Sequence, residues 1–441
     1  MSALVLAAVL AATPIRLEEA RTRSRENTQV LLSLLEASMA EQDVRLARAP
    51  LLPQLDFRTG GNVAYIGQQR VFSVVPDPDN GGFVQQAVTT PPTLRPNFDL
   101  SLSVSQLLFD RGRWAQLRQS GAQLEARQGE AREQADASEL EGIQRFYALY
   151  RSQATLEVLE ANVRRSEQQL ERARALFQAG RVGKGEELAA QVNLGNDRIA
   201  VVEQKGRLAA DQARLAVWLA LPGAEPLQAV EPGGLGQEPA PVPELEKSLA
   251  EAKSRRPLLV ALRQRVRVAE LQRTIAQAGY LPRVFAQGSY SRGGPDAAAV
   301  FTEPRLQNVV AGGVSLQWNL FEGLATDAQS RRAEHLRRAA ELNLAQAERE
   351  LEGEVRQSHE ALQAQLAATS LAAENREAAA NALRLAEERF SAGVSSTLEV
   401  RDAQLKLTQA ELVLLENRID VEIARFALMR AMGTLGPGDE T

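Results

Sequence analysis

The chain has 441 residues, a net charge of −5 at neutral pH, 5% aromatic residues and no cysteine. The missing cysteine excludes disulfides, thiolate metal sites, cysteine nucleophiles and a lipidated cysteine anchor, and the mild negative charge excludes the basic field of a nucleic-acid binder. Few aromatics with abundant Ala, Leu, Glu, Gln and Arg describe long helices that bury a seam rather than a broad core.

Residues 1–12 form a short apolar run before Thr13-Pro14. It reads as the remnant of a secretory signal without its positive start, or as a frayed apolar terminus. A helical pattern follows over 16–49, with Leu17, Ala20, Leu31, Leu35 and Leu46 on recurring faces, until Pro50 and Pro53 stop it. From Leu55 the period becomes two. Leu55, Phe57, Thr59, Gly61, Val63 and Tyr65 share one face, and Asp56, Arg58, Gly60, Asn62 and Ala64 the other. Residues 67–95, rich in Pro, Gly and Asp, read as a loop. A second strand then sets Phe98, Leu100, Leu102 and Val104 against Asn97, Asp99, Ser101, Ser103 and Ser105. A helical pattern from Asp110 to Phe177 has a length of about 100 Å as one helix. It ends at Phe177-Gln178-Ala179-Gly180 and is followed by a half-length helix over 186–221.

The second half repeats the first. Pro222 to Pro243 links them, and a half-length helix over 244–279 leads to Leu281-Pro282. Val284, Ala286, Gly288 and Tyr290 alternate with Phe285, Gln287, Ser289 and Ser291. After a loop over 292–307, Val310, Gly312, Val314, Leu316 and Trp318 alternate with Ala311, Gly313, Ser315, Gln317 and Asn319. A full-length helix over 322–390, the turn Phe390-Ser391-Ala392-Gly393 and a half-length helix over 396–432 complete the copy. The punctuation recurs at an offset of roughly 212 to 229 residues, far longer than a solenoid period. The division is therefore 13–221 for the first copy, 222–243 for the linker, 244–435 for the second copy and 436–441 for a tail.

Two geometric expectations follow. In each copy two half-length helices together match the full-length one, so they lie end to end along it. Each strand of about ten residues suffices to cross a bilayer when tilted. Four strands cannot close a sheet or hide its edges, so they need copies of themselves from other chains. Phe98, Leu100, Leu102, Val104, Val314 and Leu316 would then face lipid. No run reaches the length of a transmembrane helix. His335 and His359 stand too far apart along a helix to share a metal, and both read as solvated helix surface.

Leu52-Pro53 and Leu281-Pro282 precede strands; Leu108-Phe109-Asp110 and Leu320-Phe321-Glu322-Gly323 follow them; the two Phe-x-Ala-Gly turns end the long helices. In this order and duplicated, these motifs resemble the TolC family of outer-membrane efflux and secretion channels, over nearly the whole chain. The resemblance implies a mainly helical fold with a small β part. Three subunits would each give four strands to one shared transmembrane β-barrel, and their helices would form a periplasmic α-barrel tunnel. It implies an exit duct in the outer membrane of a Gram-negative bacterium, with a periplasmic adaptor and an inner-membrane pump as partners and no cofactor. It implies no enzyme, and no catalytic constellation is present. A soluble coiled-coil scaffold or a periplasmic adaptor is the alternative reading. Such a protein would lack duplicated amphipathic strand pairs.

Gly180-Arg181-Val182-Gly183-Lys184-Gly185 superficially suggests a phosphate loop, but it lacks the Lys-Ser/Thr ending and a preceding strand. It reads better as a tip turn, matched by Gly393, Val394, Ser395 and Ser396 in the second copy; in the family such tips meet the adaptor. The family's gate carries over onto Phe390 as its aromatic, Ser395 at its basic position, and Glu399 and Asp402 as its acidic ring. Phe390 lacks a hydroxyl and Ser395 lacks a charge, so the closed state would be held differently here. Glu399 and Asp402 also share one helical face by spacing alone. Two readings stand for them: a carboxylate ring at a constriction, or a solvated pair with Asp402 bonded to Lys406.

Overall fold

The computed structural model describes residues 13–76, 81–221, 226–233, 235, 241–302, 308–392 and 394–436. The apolar run 1–12, Gly393, parts of the linker and the tail beyond Gly436 lie outside the described residues. The chain divides into two compact units. One comprises Ala40–Gln123 and Val266–Ala339; the other comprises Met1–Met39, Leu124–Arg265 and Ala340–Thr441.

The first half runs β1 (Thr13–Ile15), α1 (Leu17–Ser24), α2 (Thr28–Arg48), β2 (Gln54–Ile66), β3 (Gln69–Pro76), β4 (Phe83–Thr90), β5 (Thr93–Phe109), α3 (Arg111–Gln178) and α4 (Lys184–Trp218). The second runs β6 (Leu227–Ala229), α5 (Leu245–Arg255), α6 (Pro257–Gln277), β7 (Arg283–Gly294), α7 (Ala297–Phe301), β8 (Asn308–Gln317), α8 (Ala325–Ser391) and α9 (Thr397–Met432).

The unit of strands is an antiparallel sheet in the order β2-β5-β7-β8. Its register turns the alternation of each strand into two sheet-wide faces. Leu55 opposes Val104, and Phe57 opposes Leu102, which opposes Tyr290. Tyr290 opposes Val310, Ala286 opposes Val314 and Val284 opposes Leu316. All of these lie on one apolar face. Arg58 opposes Ser101, Ser101 opposes Ser291 and Ser103 opposes Ser289, so the other face carries hydroxyls and a few charges. A slip by one residue would interchange the faces, so this pattern fixes the register. At the helix end, Asp110 Oδ1 accepts from the backbone N–H of Gly112 at 2.7 Å and of Arg113 at 3.1 Å, and so caps α3.

The segment 67–95, expected as loop, is mostly strand. β3 and β4 form a hairpin of their own that continues the β2–β5 ladder in unbroken register, from Ile66 opposite Thr93 to Gln69 opposite Thr90. The interruption falls where Gly67 and Gln68 face Pro91 and Pro92, and proline has no N–H to give a ladder. The second expected loop also begins late, because β7 runs to Gly294 and α7 follows it.

The helical unit is centred on Ile143, Phe146, Tyr147 and Leu149 of α3, with Ile15, Ala20, Leu215, Ile419 and Leu435 packed among them. β1 pairs in parallel with β6 at the edge of this core, which places a strand in the linker. Gly142 is required there. A Cβ at that position would meet Ser24 Oγ at 1.8 Å, and Ser24 itself accepts from Trp218 Nε1 at 3.1 Å.

Both half-length helices expected before the strands are broken. The 16–49 pattern divides at 25–27, where Asn27 Oδ1 accepts from Val30 N–H at 3.0 Å and starts α2. The 244–279 pattern divides at Arg256, because Pro257 disfavours helical backbone before it. Arginines at each break reach one acidic stripe on α3. Arg21 and Arg25 bond to Glu139 at 2.7 and 2.5 Å, and Arg25 to Asp136 at 2.9 Å. Arg256 bonds twice to Glu133 at 2.9 Å and reaches the Arg430 carbonyl at 2.5 Å. Burial pushes the Asp136 carboxyl up from its ordinary value, against the pull of Arg25. His359, expected as solvated surface, is buried instead, with Nε2 at 3.0 Å from the Pro243 carbonyl; His335 is exposed.

Candidate functional site at the hairpin tips

Both long helices close with the same long cap bond. At the first tip Gly180 takes φ +71°, Gly180 N–H donates to Phe177 O and Arg181 N–H to Leu176 O, each at 2.9 Å. This is the left-handed cap that only glycine adopts cheaply. At the second tip Val394 N–H donates to Arg389 O at 3.0 Å, the same long cap bond.

The side chains differ. At the first tip Lys184 lies 4.9 Å above the Phe177 ring and 2.5 Å from Glu187, which also faces Arg174 at 3.6 Å. The Lys184 hydrogen bond lowers the Glu187 carboxyl below its ordinary value. Arg181 and Gly183 are exposed, Val182 is half-buried, and Gly183 starts α4 with no side-chain cap.

At the second tip Ser396 Oγ accepts from Glu399 N–H at 3.4 Å and caps α9. The Glu399 carboxylate accepts from Arg389 at 2.9 Å and from Ser395 Oγ at 2.7 Å, closing a link across the turn. Ser395, which carries no charge, thus still reaches Glu399. Asp402 sits one turn further on and pairs with Lys406 at 2.7 Å. The two carboxylates share a helical face, but each holds its own cation. Phe390 is half-buried against the seam of Leu383, Ala386, Val400, Ala403 and Leu407, while Val394 stands exposed.

Beneath the tips the two hairpins are bonded together. Thr397 Oγ1 donates to the Glu186 carboxylate. Arg401 grips both oxygens of Asp197 at 2.8 Å, and Ser166 donates to the same carboxylate. Gln404 and Thr408 both donate to Asn162 Oδ1, at 2.8 and 3.1 Å. A cleft of about 290 Å³ opens beside this network, lined by Gln169, Glu186, Asn193, Thr397 and Arg401 among others. Arg389, Arg401 and Asp197 were not singled out from the sequence. Arg389 had one signal, its position directly before the Phe-x-Ala-Gly turn. Among the described residues no group of three or more metal-ligating side chains occurs, and no helix is long and apolar enough to cross a membrane.

Residues 23–220 and 249–434 match the model of the family described as outer membrane efflux protein. The chain belongs to this family. It is 24% identical over 446 aligned residues to the outer membrane protein TolC of Vibrio cholerae, covering 96% of this chain and 92% of that protein. The structure of the Campylobacter jejuni CmeC outer membrane channel superposes with a TM-score of 0.78 at 14% identity, over 96% of this chain and 87% of that one. The open-state Neisseria gonorrhoeae MtrE outer membrane channel gives 0.73 at 18% identity, over 97% and 91%.

As an outer membrane efflux channel of the TolC fold, the chain contributes its four-stranded sheet to a shared transmembrane barrel and its helices to a periplasmic tunnel. The apolar face bearing Phe57, Val104, Val314 and Leu316 is exposed in the single chain, opposite the serine-rich face. β2 and β8 are the free edges of the sheet within one chain. Efflux channels of this kind are trimers that work with adaptor and pump partners, and the family is one of channels rather than of enzymes. The soluble scaffold or adaptor alternative is not supported.

Proposed function

We propose that the second tip is the gate of this efflux channel and that both tips seat its periplasmic adaptor. An inner-membrane pump delivers cargo through that adaptor, and the channel conducts it passively to the exterior. Glu399 and Asp402 line the constriction, Phe390 wedges the turn into its seam, and Ser395 holds Glu399. Gly180, Arg181, Val182, Gly183, Lys184, Gly393, Val394 and Ser396 form the adaptor-facing surface. The two copies, 13–221 and 244–435, supply one hairpin each, and the second alone carries the gate.

The observation that carries this reading is the Arg389–Glu399–Ser395 link across the second turn. It ties the end of α8 to the start of α9 through groups that can exchange partners, which is what a reversible closure needs. In a trimer these carboxylates are present in three copies around one mouth. A trivalent cation competes there with Arg389 and Lys406, since clustered carboxylates in a narrow mouth attract multivalent charge more strongly than dispersed ones. Planar-bilayer recording tests it. Trivalent cations added on the periplasmic side should block the parent channel, and Glu399→Ala/Asp402→Ala should abolish the block with trimer assembly intact. A double variant blocked as well as the parent would place the gate elsewhere.

A further inference from the structure

The β3–β4 hairpin carries exposed apolar side chains on both faces. Val71, Val75, Val84 and Val88 stand on one beside Ser73 and Gln86, and Phe72, Val74, Phe83 and Ala87 on the other beside Arg70, Gln85 and Thr89. Phe72 is 70% exposed and Phe83 76% exposed, and the hairpin forms a two-stranded sheet separate from the four-stranded one. Arg70 is its only charged residue among those described. An isolated two-stranded ribbon is marginal in water, and a β-prone, exposed one with a single charge is an aggregation hazard. Something covers it.

Its place in the fold says what does. The hairpin grows from β2, the edge strand that pairs with a neighbouring subunit when the barrel closes, and only Gly67 and Gln68 intervene. It stands at the sheet end away from Gln54 and Phe109, where the chain joins its helices, and so on the outer side of the membrane. The unbroken register carries the alternation across the proline step without gaining or losing a residue. Phe72, Val74, Phe83 and Ala87 therefore continue the side of the ladder that bears Asn62, Asp99 and Ser101, the lumen face. On that side Arg70 and Thr89 come first beyond the barrel, and the lining then changes to Phe72, Ala87, Val74 and Phe83.

We propose that the three hairpins of a trimer dock on one another through this face, forming an apolar collar around the outer exit of the duct. The occupant of that face is a second copy of the same hairpin, brought beside it by the interface that closes the barrel. Such a ring of apolar side chains narrows the exit and opposes its wetting, as hydrophobic constrictions do in other pores. The inference rests on the trimeric barrel and is independent of the gate at the periplasmic tips.

The cysteine-free chain makes the test direct. Phe72→Cys, and separately Ala87→Cys on the same face, are oxidised with copper phenanthroline in intact outer membranes. Boiled, non-reducing gels should show subunits linked as dimers by either cysteine, whereas Arg58→Cys, held apart by the barrel wall, should stay monomeric. Unboiled samples report whether the trimer is intact, so loss of the barrel and loss of the collar are distinguishable. An intact trimer in which neither cysteine links subunits and both react freely with an impermeant maleimide would overturn the proposal. So would a link to a different outer-membrane protein. Phe72→Ser/Phe83→Ser should raise single-channel conductance; unchanged conductance would contradict an inward-facing collar.

Discussion

The two hairpin tips share a backbone and differ in what their charges hold. Both end a long helix at Phe-x-Ala-Gly and close it with the same long cap bond. At the first tip Lys184, Phe177, Glu187 and Arg174 satisfy one another, and the next helix starts on an uncapped Gly183. At the second, the helix start is fixed by Ser396, and Glu399 reaches back across the turn to Arg389. An ion pair spans each turn, Arg174–Glu187 at the first and Arg389–Glu399 at the second, and the second adds the Ser395 hydroxyl and the Ser396 cap. The lesson is that a turn's shape is set by glycine and backbone bonds, whereas its role is set by a few exposed polar residues.

The largest expected effect lies below the tips, in the stem they share. Asp197→Ala leaves Arg401 without its partner in a largely buried position, and breaking such a pair costs about 3–5 kcal/mol. Denaturant unfolding of the purified trimer should show this loss, and Arg401→Met added to Asp197→Ala should recover part of it. A loss no larger than that of a surface pair would mean this ion pair does little to hold the hairpins together.

A smaller effect separates the tips directly. Ser396→Ala removes the cap of α9 and should cost about 1 kcal/mol, while Gly183→Ser, installing the same cap on α4, should gain a few tenths. Thermal melts compare the two. Equal and negligible shifts would erase the structural asymmetry.

The smallest effect is one of pH. Burial raises the Glu422 carboxyl above its ordinary value, with Arg425 opposing. A group whose folded value is raised holds its proton more tightly when folded, so its charged form weakens the fold and stability falls as pH rises through that value. Glu422→Gln should therefore stabilise the channel at neutral pH, and the gain should vanish as pH falls through the ordinary carboxylate range. A pH-independent difference would assign the effect to packing.

The repeat, the strand faces, the long helices and the tips were legible because each rests on local patterns: period two, period 3.6, and proline or glycine at the ends. Three features were not. The β3–β4 hairpin was hidden because loop composition interrupts it at Pro76 to Gly82 and ends it at Pro91-Pro92, although Val71, Val75, Val84 and Val88 carry a strand's spacing. The break at 25–27 has no proline or glycine, and the arginines beside it bond to Asp136 and Glu139, more than a hundred residues away. His359 lay in a polar helical stretch, and only the returning linker at Pro243 buries it. At the tips Glu399 and Asp402 were found by spacing and family resemblance, yet their cations were found unequally. Lys406 is a helical neighbour of Asp402, whereas Arg389 meets Glu399 only because the turn folds back.

The central claim is that the second tip gates the duct and the first does not. Single-channel recording of Arg389→Ala beside Lys184→Ala tests it most directly, because each substitution removes the principal cation of one tip and neither removes a backbone cap. The account predicts frequent, long openings for Arg389→Ala and parent-like closure for Lys184→Ala. Parent-like closure in Arg389→Ala, or equal opening in both variants, would contradict it.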